Sequence, residues 1–156
     1  ARQEDYAVTT SALTAPAHVA RVIVFFETLT PQTLAGLADI YAADARFKDP
    51  FNDVQGLDAI RGIFAHMFVA LRQPRFVITR QVTQGGDCFI TWDFYFYLAS
   101  YQRGIEQKIA GASHLVFDAE GRVQVHRDYW DAAEELYEKL PLVGSLMRWL
   151  KRRANS

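Results

Sequence analysis

Apolar positions along the chain follow two periods, and the change falls near Pro74. Before it the spacing is helical. Val19, Val22, Ile23 and Phe26 form one stripe behind Pro16, a residue suited to a helix's first turn. Thr30-Pro31 reads as an N-cap and first-turn proline, opening a second helix with Leu34, Leu37, Ala38 and Tyr41 on one side. Residues 45–48 read as a short extended piece, since Pro50 disfavours helix at Asp49. Gly56 precedes a third helix that buries Ile60, Phe64, Met67, Phe68 and Leu71, and Pro74 marks its end.

After Pro74 the period is two. Phe76, Ile78 and Val82 predict a strand ending in the turn Gly85-Gly86-Asp87. Ile90, Trp92, Phe94, Phe96 and Leu98 then alternate with Phe89, Thr91, Asp93, Tyr95 and Tyr97, which predicts a strand with one dry face. Residues 104–117 predict another long strand, and the turn 117–121 leads it into 122–130. Strands joined by short turns make an antiparallel meander, and the helices before it must cover its apolar face. The expected class is α+β.

Residues 1–15 read as a mobile leader without the charged-then-apolar order of a signal peptide, 16–131 as the domain, and 132–156 as a helical extension. Leu136, Leu140, Leu142, Val143, Leu146, Met147, Trp149 and Leu150 make that extension apolar, and Lys151, Arg152 and Arg153 close it. The simpler reading is a docked helix pair with a cationic end that suits the helix dipole. A pocket lid or a membrane-surface helix is the alternative, and the balance is against the membrane.

Composition narrows the function. The chain has 156 residues, 50% hydrophobic and 22% charged, enough for one ordinary globular core. Aromatics at 13% must pack somewhere, so a large core or an aromatic-lined cavity is expected. A net charge of −1 offers no basic excess to bind nucleic acid. No apolar run reaches membrane-spanning length. The one cysteine, Cys88, rules out an internal disulfide and fits a reducing, cytoplasmic compartment.

Two stretches carry a family likeness. Tyr41-Ala42-Ala43-Asp44-Ala45-Arg46-Phe47-Lys48-Asp49-Pro50-Phe51 resembles the segment of ketosteroid isomerases that contains the catalytic aspartate. The hairpin Phe117-Asp118-Ala119-Glu120-Gly121-Arg122-Val123, followed by His126-Arg127-Asp128-Tyr129-Trp130-Asp131, resembles the last hairpin of SnoaL-like polyketide cyclases, ketosteroid isomerases and limonene epoxide hydrolases. From about Ala17 to Asp131 the chain resembles the nuclear transport factor 2-like superfamily. The resemblance implies a cone-shaped, cystatin-like fold, with three N-terminal helices on a curved antiparallel sheet and an extra C-terminal helix. It aims Trp92, Phe94, Phe96, Ser113, Leu115, Phe117, His126, Asp128 and Trp130 into the cone. Asp93, Tyr95, Tyr97 and His114 would lie outside, on an aromatic face that suits a homodimer contact.

The same resemblance names candidate chemistry. Asp49 stands where the isomerases carry their general base; as a residue before proline it also suits a turn, accepting backbone hydrogen bonds. The isomerase oxyanion donors are missing: Phe25 (or Phe26, one register away), Phe64 and Ser113 occupy their positions, which argues against steroid isomerisation. Asp128 matches the acid–base aspartate of the hydrolases and cyclases. His126, about 7 Å away along the same strand face, can share a proton with it or join it in a structural network. Trp92 and Phe94 stand where the hydrolases need an Arg and a second Asp, so that water-activating triad is not expected. Tyr41, Leu115, Phe96 and Trp130 complete the expected lining. No metal spacing appears among His18, His66, His114 and His126, and proton transfer implies no cofactor. The leading expectation is acid–base catalysis on a small apolar ring molecule, with a non-catalytic binding module as the alternative.

Overall fold

The computed structural model describes residues 15–99 and 104–135. Helix α1 (Ala17–Glu27) buries Val19, Val22, Ile23, Phe25 and Phe26. A 3-10 turn (Thr33–Gly36) and the single-turn α2 (Leu37–Ile40) follow. Thr30 does act as a cap, its hydroxyl accepting the Thr33 N–H while the Thr33 hydroxyl accepts the Thr30 N–H. The second helix is shorter than the apolar spacing predicts. Tyr41 is already extended, and it opens β1 (Tyr41–Lys48) because pairing with Val123 replaces another helical turn.

Strand β2 (Asp53–Gln55) leads to α3 (Leu57–Ala70), whose buried residues are Ile60 and Phe64. The helix gives way directly to β3 (Leu71–Gln84), so Leu71 starts a strand and Pro74 lies inside one. Pro74 is tolerated there because β3 is an edge strand with a bulge between Arg72 and Arg75, where Gln73 takes φ 51. Strands β4 (Asp87–Leu98), β5 (Gln107–Phe117) and β6 (Val123–Tyr129) complete the meander, and a one-turn α4 (Ala132–Glu135) follows. The leader 1–14 and the apolar extension from Leu136 onward lie outside the described residues.

The sheet has six strands in the order β2-β1-β6-β5-β4-β3. Its pairs are antiparallel except β1 with β6, which is parallel, so the expected antiparallel meander is joined to a first strand that runs in the same direction as β6. One predicted face is reversed. Between Ile78 and Arg80 the register of β3 shifts by one residue, which turns Val82 outward against Phe89 and leaves it 67% exposed. The Ile78 N–H at that bulge is satisfied by the Glu27 carboxylate at the end of α1.

The core lies between the inner sheet face and α1 and α3. Ile90, Trp92 and Phe96 of β4 point into it, with Ile109, Ser113 and Leu115 of β5 and His126 of β6. Asp93 faces out and pairs with Lys108. Tyr95 is outside as well, flanked by the cations of Arg75 and Lys108. Among the described residues no helix is long and apolar enough to cross a membrane.

Candidate functional site

Cross-strand register assembles the site. On β5 and β6, Ser113 faces Asp128 and Leu115 faces His126, all on the inner side because alternate residues share a face. On β4, Trp92 faces Gly111, and an added Cβ there would lie 2.4 Å from the Trp92 ring. The indole therefore lies across a residue with no side chain. That close approach lets its Nε1–H reach the Ser113 oxygen at 2.8 Å.

From there a chain of hydrogen bonds crosses the buried interior. Ser113 Oγ accepts from Trp92 and donates to Asp128 Oδ1. The same Oδ1 lies 2.6 Å from His126 Nε2. On the other side of the ring, His126 Nδ1 lies 2.6 Å from the Tyr41 hydroxyl. The direction of each bond follows from counting protons. Tyr41 is fully buried and His126 is its recorded partner among the described residues, so its O–H must donate to Nδ1. The imidazole then carries its proton on Nε2 and donates it to Asp128. Burial, and secondarily the charge of Asp128, holds the Tyr41 pKa well above its ordinary value, so Tyr41 stays a donor. Packing fixes the ring too: Tyr41 stacks on it at 4° between planes, and Phe26 and Phe47 close two other sides.

Asp128 ends this chain with one oxygen occupied and one turned outward. Both recorded hydrogen bonds fall on Oδ1. Among the described residues no shielded side-chain polar atom lacks a partner, so Oδ2 is the oxygen behind the 17% exposure of the Asp128 side chain. Asp128 is among the residues lining a cavity of about 490 Å³. Phe64, Phe76, Trp92, Phe94 and Phe96 form aromatic walls of this cavity, and Met67, Leu71, Leu98 and Ile109 add aliphatic surface. Trp130 and the half-exposed Phe51, ring against ring at 5.5 Å, stand where Trp130, Asp49 and Asp128 also border an open surface groove. A narrow recess of about 20 Å³ continues inward past Asp128 to Ser113, His126 and Phe26.

Asp49 borders the cavity but is engaged elsewhere. Its Oδ1 accepts the backbone N–H groups of Phe51 and Asn52, and the Asn52 side-chain amide reaches both carboxylate oxygens. This is an aspartate-closed turn, the arrangement that a residue before proline favours. The carboxylate is held by four hydrogen bonds from three donor groups of its own loop.

Asp128, Asp49, Phe64, Trp92, Phe94, Phe96 and Trp130 border the large cavity, and His126 and Ser113 border the recess behind it. Tyr41 lies behind His126 rather than on a wall of either space. Leu115 is fully buried opposite His126, in the core proper. Phe25 packs edge-on against Phe26, and Phe26 is the α1 residue that reaches the recess. Sequence reasoning did not single out Phe47, Phe76 or Ile109 as lining, although period two places each on an inward face. It also missed the bond from Trp92 to Ser113, which depends on Gly111.

Comparison with known proteins places this geometry in a context. A family model described as SnoaL-like domain matches residues 22–126. No curated protein matches the chain. Among solved structures, a candidate SnoaL-like polyketide cyclase from Shewanella putrefaciens superposes with a TM-score of 0.69 at 19% identity, over 87% of this chain and 97% of that one. A hypothetical protein of ketosteroid isomerase-like fold from Catenulispora acidiphila, in complex with trimethylamine, gives 0.66 at 19% identity, over 79% and 92%. An epoxide hydrolase of M. tuberculosis gives 0.62 at 14% identity, over 76% and 85%. At such identities the likeness is one of fold.

Proposed function

The chain belongs to the SnoaL-like domain family, and within it we propose an acid–base enzyme acting on a compact, mostly apolar molecule, with Asp128 as the group that exchanges the proton. One observation carries this reading: Asp128 is anchored through Oδ1 by Ser113 and His126, its Oδ2 carries no recorded hydrogen bond, and the residue lines an aromatic cavity. A general base needs that combination, a fixed carboxylate with one free lone-pair face and a dry wall beside it. In the reaction Oδ2 takes a proton from the substrate and returns it to another substrate atom, so no electrons leave the pair. His126, Ser113, Tyr41 and Trp92 are positioning residues in this reading, and Asp49 folds the loop beside the cavity. The buried Cys88 supports a reducing, cytoplasmic setting.

A non-catalytic binding module is the second reading. It is favoured by the spending of the Trp92, Ser113 and Tyr41 donors on Ser113, Asp128 and His126 respectively, which leaves none of them to stabilise an oxyanion.

The test uses Asp128→Asn. Asparagine keeps an Oδ1 acceptor for both donors and changes only the group facing the cavity. Ring ketones, epoxides and amines incubated in D2O with the native protein should include one that gains deuterium or forms product, and Asp128→Asn should abolish this with melting temperature preserved. Turnover that survives the substitution assigns the chemistry elsewhere, and no turnover across the panel favours the binding module.

A further inference from the structure

We infer that the molecule held beside Asp128 carries a cationic nitrogen, as a protonated or quaternary amine on an apolar body. This names the substrate class of the site just proposed and rests on that reading.

The cavity walls offer a ligand acceptors and π faces. Asp128 and Asp49 are the carboxylates among the lining residues, and no lysine or arginine is among them. The recorded partners of Asp128 are the Ser113 hydroxyl and the His126 imidazole, and no lysine or arginine is among them. Lys48 and Arg127 border the surface groove with Asp128, but their recorded contacts are with Asp53 and the Tyr129 ring. A partly buried carboxylate without a lysine or arginine partner favours a ligand that brings a cation.

The walls are equally short of donors. The Trp92 N–H is bonded to Ser113. The remaining lining side chains able to donate are exposed His66 and Trp130, which stands beside half-exposed Phe51. A ligand whose polar atom is a carbonyl or hydroxylate oxygen would find only His66 and Trp130 as side-chain donors on the walls, and none from the Trp92 and Ser113 groups bonded within the chain that ends at Asp128. A nitrogen cation needs none. It needs a carboxylate and aromatic faces, and Phe76, Trp92 and Phe94 supply the faces, since the negative face of a ring attracts a cation within about 6 Å. A substrate that brings its own positive charge also dispenses with the oxyanion donors this chain lacks.

The test compares two probes of one shape, phenyltrimethylammonium and tert-butylbenzene, titrated into the full chain and followed by NMR shifts of the tryptophan indole N–H groups. The cation should bind about tenfold or more tighter than its neutral twin, as expected for desolvated cation–π and charge contacts together. Asp128→Asn should erase the preference while leaving tert-butylbenzene affinity unchanged. Trp130→Leu, outside the hydrogen-bond chain, should weaken the cation more than the neutral probe and keeps the test valid if the first variant folds poorly. Equal or tighter binding of tert-butylbenzene overturns the cation while leaving the pocket reading intact. Failure of both probes to bind overturns both.

Discussion

His126 and Asp128, two residues apart on one face of β6, meet at 2.6 Å between Nε2 and Oδ1. Side chains at that spacing on a strand stand about 7 Å apart at their roots and need not touch. They touch here because Tyr41 holds the imidazole from behind and Ser113 holds the carboxylate from the side. The pair is therefore the middle of a chain that begins at Gly111 and ends at the start of β1.

Tyr41 sets the tautomer. Nitrogen-15 NMR at neutral pH should find Nε2 of His126 protonated and Nδ1 bare. Tyr41→Phe removes the donor to Nδ1 and leaves a buried acceptor unpaired, at a cost of about 1–3 kcal/mol. Urea denaturation measures the loss. A bare Nε2 in the native protein would contradict the proton count.

Gly111 seats Trp92. Gly111→Ala would set a Cβ 2.4 Å from the indole, so the Trp92 ring would have to leave its seat. The expected loss is about 1–3 kcal/mol, the usual range for overpacking. The Trp92 N–H should also lose its bond to Ser113, visible as a shift of its indole resonance. Alanine tolerated with that resonance unmoved would show that the ring has another seat.

Glu27 makes stability depend on acid. Burial raises its pKa above 4.5, outweighing the Ile78 N–H bond that favours the anion. A raised carboxyl binds its proton more readily folded than unfolded. Its contribution is thus fully present below about 4.5, the unfolded value, and is lost as pH rises through the folded pKa. Glu27→Gln keeps an acceptor for Ile78 and removes the charge. The variant should match or exceed the native melting temperature at pH 7, and the difference should shrink as pH falls toward the unfolded value. A variant less stable at pH 7 would show that the charge itself holds the bulge.

The outer sheet face is the proposed homodimer surface. Val82 and Phe89 of β3 and β4 and Tyr129 of β6 are about half exposed or more, whereas Tyr95 is already flanked by Arg75 and Lys108. Apolar surface of that kind favours association. Sedimentation of the native protein at micromolar concentration should give a dimer, and Phe89→Glu should shift it toward monomer. A native monomer would count against the proposal.

Much of this was legible before any coordinates. Strict alternation from Ile90 to Leu98 placed Trp92 and Phe96 inward, and the same rule put His126 and Asp128 on one face. The misses share a cause. Val82 turned outward because a bulge added a residue to β3, and Tyr41 left its helix to pair with Val123 far along the chain. Local pattern carries no mark of a register shift or a distant partner. The site was legible as a set of residues but not as a chain of bonds, since the link from Trp92 to Ser113 needs the bare backbone of Gly111 on another strand. Asp49 had two readings in sequence, base or turn, and its four loop hydrogen bonds now describe the turn.

The most direct test is a structure of the protein with a ligand in the aromatic cavity, read for one distance. The account predicts the ligand's ionisable atom or acidic C–H against Asp128 Oδ2, at about 3 Å for a hydrogen-bonding group, with the Asp49 turn intact. A ligand whose reactive group sits on Asp49 with that turn opened, or one that fills the cavity without meeting Asp128, would contradict it.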